Sequence, residues 1–149
     1  MFHFPLQSLL NHRKYLEEAL QIEMADLQQR LEAERQRADV LCRALVDNRQ
    51  RLDGMQRNGA RACDLQMAVR YLARLAEQIT LQEKTLQRAV HRIERKRADL
   101  IEAVKQRKVI EKLKEKSEQA YQEENRRKEM NLINEIAIGR FNRSKKAEG

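Results

Sequence analysis

The chain has 149 residues, 36% of them charged and only 4% aromatic, with a formal net charge of +8. So few rings exclude a bulky globular core, and the dominance of helix formers beside one Pro and four Gly marks long helices. No apolar run reaches the roughly eighteen residues of a membrane span. The apolar start lacks the basic leader of a signal peptide and is broken by Asn11-His12-Arg13-Lys14.

Phe2, Phe4, Leu6, Leu9 and Leu10 open the chain, with Pro5 near the first turn of a helix, where proline is tolerated. The periodicity predicts a first helix over about 5–53. Its apolar seam reads Leu6, Leu9, then Leu16, Leu20, Met24, Leu27, Leu31, Ala38, Leu41, Leu45, Leu52 and Met55, with Arg13, Glu34 and Asn48 as polar interruptions. Polar residues in a seam cost stability and set register. The two steps of four through Leu16, Leu20 and Met24 read as a stutter.

Asp53-Gly54 and Asn58-Gly59 are the one strong breaker in the interior, so a turn is expected over about 54–59. A second helix follows over about 60–138, free of Pro and Gly. Leu65, Val69, Leu72, Ala76, Ile79, Leu86, Val90, Ile93, Leu100 and Val104 recur at steps near 3.5 residues, the period of a coiled coil. So short a connection favours antiparallel neighbours.

The sequence therefore predicts an all-α fold: an antiparallel two-helix coiled-coil hairpin, a single unit over 1–149. Folding about residue 57 sets Leu6 beside residue 107 and leaves the longer second helix overhanging at the termini end. A phase change of the seam is expected between Val104 and Ile110. The overhang still carries Val109, Ile110, Leu113, Tyr121, Met130, Leu132, Ile133, Ile136, Ile138 and Phe141, which suggests a docking face. Gly139 is expected to end the helix, with a basic tail over 139–149, disordered from Ser144.

No phosphate loop, metal-ligand spacing or nucleophile motif is present, the three histidines are isolated, and no catalysis, cofactor or metal is expected. Cys42 and Cys63 read as free thiols, buried or half-buried, in a reducing compartment. Residues 1–59 carry nine basic and nine acidic side chains, whereas 60–149 carry twenty-two and fourteen. Acids are interspersed throughout that basic half, which argues against nucleic acid and for a protein partner.

The opening Phe2-His3-Phe4-Pro5-Leu6-Gln7-Ser8-Leu9-Leu10 followed by Arg13, Tyr71-Leu72-Ala73-Arg74-Leu75 to Ile79, and Arg127-Lys128-Glu129-Met130 to Phe141 resemble the start, middle and close of the FliJ family. The chain departs from that pattern in Leu132-Ile133-Asn134, where an acidic residue commonly follows the Met. The resemblance implies a small cytoplasmic protein of flagellar type III export, tied to motility and chemotaxis and peripheral to the membrane through the export apparatus. It implies a stalk similar to that of the rotary ATPases, which enters the ring of the export ATPase (FliI) and promotes ring assembly and ATP hydrolysis. It further implies contact with the export gate (FlhA) and handling of export chaperones.

On that reading the ATPase contacts are Leu6, Leu9, Arg13, Lys14 and Glu17 with Arg127, Ile133, Ile136, Arg140 and Phe141. The gate contacts are Leu41, Tyr71 and Leu75, the last two placed off the seam as an exposed pair. A monomer with weak self-association is expected. The alternative is a structural or nucleic-acid-associated coiled coil without an ATPase partner, which steep salt dependence of nucleic-acid binding would reveal.

Overall fold

The computed structural model describes residues 1–147, with side chains through Lys145. Two helices make up the fold, α1 (Gln7–Arg57) and α2 (Ala62–Ala147), packed against each other in antiparallel sense with no strand among the described residues. Their contacts group into two compact units. One, here the turn unit, is Glu17–Glu102; the other, the terminal unit, is Met1–Leu16 with the chain from Ala103 onward.

The turn is tighter than the glycine pairs suggest. Gly54 stays inside α1, and the reversal occupies residues 58–61. Among the described residues Gly59 alone adopts a left-handed conformation, at φ 69°. The amide of Ala60 donates to the carbonyl of Met55 across it at 3.1 Å, the six-to-one bond of a Schellman cap. One left-handed glycine is enough to stop the helix, so Gly54 has no turn to make. At the start of α2 the carbonyl of Arg61 accepts from the amides of Asp64 and Leu65, both at 3.1 Å. Asp64 places a carboxylate in the first turn, where the helix dipole favours it.

In the turn unit the α1 seam lies where its periodicity puts it. Leu20, Met24, Leu27, Leu31, Glu34, Ala38, Leu41, Leu45, Asn48, Leu52 and Met55 are all buried or half-buried. Leu16 and Glu17 are both half-buried, so two adjacent residues face inward at the expected stutter, and from Glu17 onward steps of three and four alternate. The α2 seam differs from expectation. It runs through Leu65, Ala68, Leu72, Leu75, Ile79, Gln82, Leu86, Ala89, Ile93, Lys96 and Leu100, again in strict alternation. Val69, Ala76 and Val90, expected in the seam, are exposed. The alternation has to be continuous to keep facing one partner, so the smaller Ala68 and Ala89 point inward and the neighbouring valines do not. Leu75, expected on the outside, is 4% exposed and the most buried side chain of this unit.

In the turn unit the seam's polar residues are hydrogen-bonded or ion-paired. Gln82 donates from Nε2 to the Glu34 carboxylate at 2.6 Å and to the Glu34 carbonyl at 3.0 Å. Lys96 Nζ meets Glu23 at 2.5 Å, a contact that raises its pKa, first through the hydrogen bond and then through the charge. Asn48 turns back to the carbonyl of Ala44 in its own helix at 2.7 Å. Cys42 and Cys63 are free and exposed, not buried as expected, because both lie off the seam.

In the terminal unit α1 begins only at Gln7, and the residues before it are not helical. Pro5 follows Phe4 in a turn closed by the Gln7 amide on the Phe4 carbonyl at 3.1 Å, a position that suits its fixed φ. Phe4, Leu10 and Ile110 form the core here, with Phe2 packed against it. Phe2 and Tyr121 are 5.6 Å apart between ring centroids. The cover on α2 thus reaches Tyr121, beyond the expected limit near Arg107. Two physical reasons account for this. The tighter turn shifts the fold point, so that Gln7 meets Lys114 at 2.9 Å. The non-helical start also rises roughly 3.3 Å per residue, against 1.5 Å in a helix. Nor does the seam change phase: Ala103, Arg107, Ile110, Lys114, Ser117 and Tyr121 continue one alternation, and Val109 is exposed.

The helix does not stop at Gly139. It continues to Ala147, with Arg143 Nε donating to the Gly139 carbonyl at 3.2 Å and Ser144 Oγ bonded to the Phe141 carbonyl at 2.8 Å. Glycine loosens a helix but ends it only where a left-handed turn follows, and none does. Of the expected disordered tail, 144–147 are helical and 148–149 lie outside the described residues.

Three outcomes follow from this packing. Leu75→Ala should lower unfolding free energy by about 2–4 kcal/mol and Val69→Ala by under about 0.5 kcal/mol in denaturant titrations; the reverse order would place Val69 in the seam. Gly54→Ala, with nothing near its added Cβ, should stabilise by about 0.5–1 kcal/mol, whereas Gly59→Ala should destabilise by at least as much. Phe4→Ala should cost about 3 kcal/mol and speed amide exchange over Gln106 to Tyr121, a region that would be unaffected if the segment before Gln7 did not cover it.

Candidate functional site

No closed catalytic cleft defines a site among the described residues, so candidate surfaces are those the seam leaves uncovered. In the terminal unit the first residues reach as far as Tyr121, through the Met1 ammonium and the Phe2 ring, and Asn125, one turn on, is still half-buried. From Arg126 to Ile138 every residue is exposed. Met130, Leu132, Ile133, Ile136, Ile138 and Phe141 lie in or just beyond this stretch and are large, apolar and exposed. At about 100° per residue they spread over roughly two thirds of the helix circumference instead of one stripe, leaving a polar sector with Asn131 and Glu135. Lys145 Nζ stands 5.2 Å over the Phe141 ring. Before the apolar stretch, Lys128 pairs with Glu124 at 2.7 Å. That hydrogen bond, and then the charges, lower the Glu124 pKa and raise that of Lys128. A hydrogen bond with Asn125, and next the Met1 ammonium bonded to its hydroxyl, lower the pKa of Tyr121.

The expected ATPase-facing residues divide into two sets. Arg127, Ile133, Ile136, Arg140 and Phe141 are all exposed on the uncovered helix. Those near the chain start are mostly engaged within the fold. Arg13 is half-buried and donates from Nη1 to Gln106 at 2.5 Å, while its Nε is buried without a partner. Lys14 reaches Glu111 at 3.7 Å, and Glu111 also accepts from Arg107 at 2.5 Å. Glu17 is half-buried and belongs to the turn unit. Leu6 and Leu9 are partly exposed, and Leu10 takes the buried position expected of them. The uncovered stretch beginning after Tyr121, and not after Arg107, required the non-helical start to be foreseen; Pro5 was its only signal.

Of the expected gate residues, the structure keeps Tyr71 accessible at 46% exposure and places Leu41 half-buried at the edge of a groove with Val40 and Leu81. Tyr71 lines a second groove with Arg51, Leu52, Met55 and Met67. Leu75 does not join them at the surface, being seam core. Arg30, Arg88 and Arg92, which line a further groove, were not singled out by sequence, because charge spacing alone does not distinguish a groove wall from a solvated face.

The family model of the flagellar FliJ protein matches residues 2–146. No curated protein and no solved structure matches the chain significantly. The match spans nearly the whole chain and agrees with the two packed helices and with the sequence segments at the start, middle and close. The chain therefore belongs to the flagellar FliJ family, whose members are components of flagellar protein export.

Proposed function

We propose that this protein is a non-catalytic stalk of the flagellar export apparatus. It binds the export ATPase (FliI), promotes ring assembly and ATP hydrolysis, contacts the export gate (FlhA) and handles export chaperones, all at the cytoplasmic face of the membrane. The observation that supports the ATPase assignment is the helix from Met130 to Phe141, uncovered and apolar over most of its circumference. A helix with one narrow apolar stripe suits a flat docking face, whereas one with so broad an apolar surface suits a socket that surrounds most of it. A ring of ATPase subunits is such a socket. Ile133, Ile136 and Phe141 would fill it, with Arg127 and Arg140 at its polar edges. Leu6 and Leu9 would contribute from the chain start, while Arg13, Lys14 and Glu17 act by holding that start in place.

The gate assignment concerns the turn unit. Tyr71 and Leu41 present the accessible surface, and Leu75 fixes the helix beneath Tyr71. Coupling on this reading is positional: one unit engages the ring, the other the gate, and the protein performs no bond chemistry. Nothing in the family match favours the nucleic-acid alternative, and the mixed charges of α2 speak against it.

The test is ATP hydrolysis by the cognate export ATPase with the full chain, with a chain ending after Tyr121, and with Ile133→Asp plus Phe141→Asp. The full chain should stimulate; the other two should not, while retaining the cooperative unfolding of the parent. Truncation after Tyr121 is preferred to a cut near Arg107, which would also remove Ile110 from the core. A folded full-length protein that leaves hydrolysis unchanged would sink the ATPase assignment.

A further inference from the structure

The turn unit carries a groove that its own seam does not require. At one end Val40 and Leu81, 64% and 63% exposed, flank it with Ala33 and Thr85. Thr85 is shared with the adjoining stretch, walled by Arg30 and Glu34 from α1 and by Arg88 and Arg92 from α2; the Glu34 carboxylate there is already engaged by Arg37 at 2.7 Å and Gln82 at 2.6 Å. The two stretches hold about 720 and 240 Å3. Scattered exposed aliphatics are ordinary, but these stand on both walls of one trough that leads directly into the arginines.

The charges of that trough are unbalanced. Asp26 holds Arg30 at 2.9 Å. Arg88 and Arg92 have no ion pair among the described residues. They lie four residues apart on α2, with Lys84 four residues before, an arrangement in which like charges repel on a helix. An anionic partner would relieve this repulsion. Its chemistry is narrowed by the other end of the trough. A bilayer surface is flat and would not reach the floor between two helices. A nucleic-acid strand would stack on aromatic rings, and the aliphatic Val40 and Leu81 provide none. An amphipathic helix meets both demands, with apolar side chains in the groove and carboxylates along its flank.

We propose that this groove is a docking site for an acidic amphipathic helix of a partner protein, its apolar face between Val40 and Leu81 and its carboxylates on Arg88 and Arg92. The groove is also lined by Leu41, which the proposed function gives to the gate, so the site adjoins that contact; it goes beyond it in Val40, Leu81, Arg88 and Arg92, which neither the ATPase nor the gate reading uses, and it selects by charge. Specificity comes from the arginines, and affinity from the aliphatic pair.

The experiment uses the folded full-length chain and a labelled amphipathic peptide with Leu on its apolar face and Glu on its flanks, followed by fluorescence anisotropy. A matched peptide with Lys in place of Glu, an oligonucleotide and vesicles of anionic lipid are run beside it. The Glu peptide should bind, with affinity falling as salt rises, and the Lys peptide should not. Arg88→Glu with Arg92→Glu should weaken binding at least about tenfold, and Val40→Ser with Leu81→Ser should weaken it independently. Equal binding of both peptides, unchanged binding by the arginine variant, or tighter binding of the oligonucleotide or vesicles would overturn the proposal. Because these substitutions leave the helix beyond Tyr121 intact, stimulation of the ATPase reports separately on the stalk reading.

Discussion

Two helices facing each other along one line can bury only what lies on that line, and the rest of the molecule follows from this constraint. A side chain in a larger bundle meets neighbours on several sides; here it meets one opposing helix. Hence, among the described residues, only Phe4, Leu10, Leu31, Leu75 and Ile110 are buried apolar residues. Steps of three and four must alternate without interruption to keep that line facing its partner, because an α-helix at 3.6 residues per turn otherwise rotates away. Continuity outranks residue size, which is why Ala68 and Ala89 face inward next to exposed valines. The same constraint leaves the flanks and the uncovered part of α2 as the surfaces through which this protein can act.

The polar residues in the line are best understood as register devices. Glu34 faces Gln82 and shares two hydrogen bonds with it. Sliding α2 by one heptad would keep the apolar pattern but bring Leu75 or Ala89 against the Glu34 carboxylate, leaving it without its partner. A hydrogen bond of this kind contributes only about 1 kcal/mol net, while its loss in a half-buried site costs more. The pair therefore does little for stability as such and much against slippage. In the terminal unit, Arg13 on Gln106 resists slippage in one sense only, since a slip of one heptad would offer it Leu113 one way and Asp99 the other.

Most of this architecture was legible in the sequence, because the coiled-coil period is a local signal repeated many times. The α1 seam from Leu20 to Met55 could be read directly, and so could the antiparallel reversal near Gly59. What escaped had one of two causes. Where two apolar residues were adjacent, as at Ala68-Val69 and Ala89-Val90, composition favoured the larger and geometry the one in phase. Where the backbone left the helix, at the start before Gln7 and at Gly59, the length covered per residue changed, and the opposing register moved with it. Leu75 follows from the first cause: once the α2 phase was taken through Val69, it appeared to lie outside. Of the candidate sites, the uncovered apolar helix was legible as a list of residues, but its true beginning depended on the chain start. The arginine-walled groove depended on residues from both helices meeting across it, which no single-helix pattern records.

The helix beyond Tyr121 ties structure most closely to function. Isolated helices are marginal in water, and most helical stability in proteins comes from packing one apolar face. This stretch has no such face in the hairpin. What favours its helicity locally is modest: the Glu124–Lys128 pair, the Arg143 bond back to Gly139 and the stacking of Lys145 on Phe141. Its apolar side chains meanwhile spread over roughly two thirds of the circumference, so no single flat partner would cover them. A partner that encloses the helix would bury all of them at once and supply the packing that the hairpin withholds. Order and binding in this segment then become one process. Recognition would be sensitive to the length and phase of the helix, both set below it by the buried contacts of Phe4, Leu10 and Ile110 that end the covered part of α2.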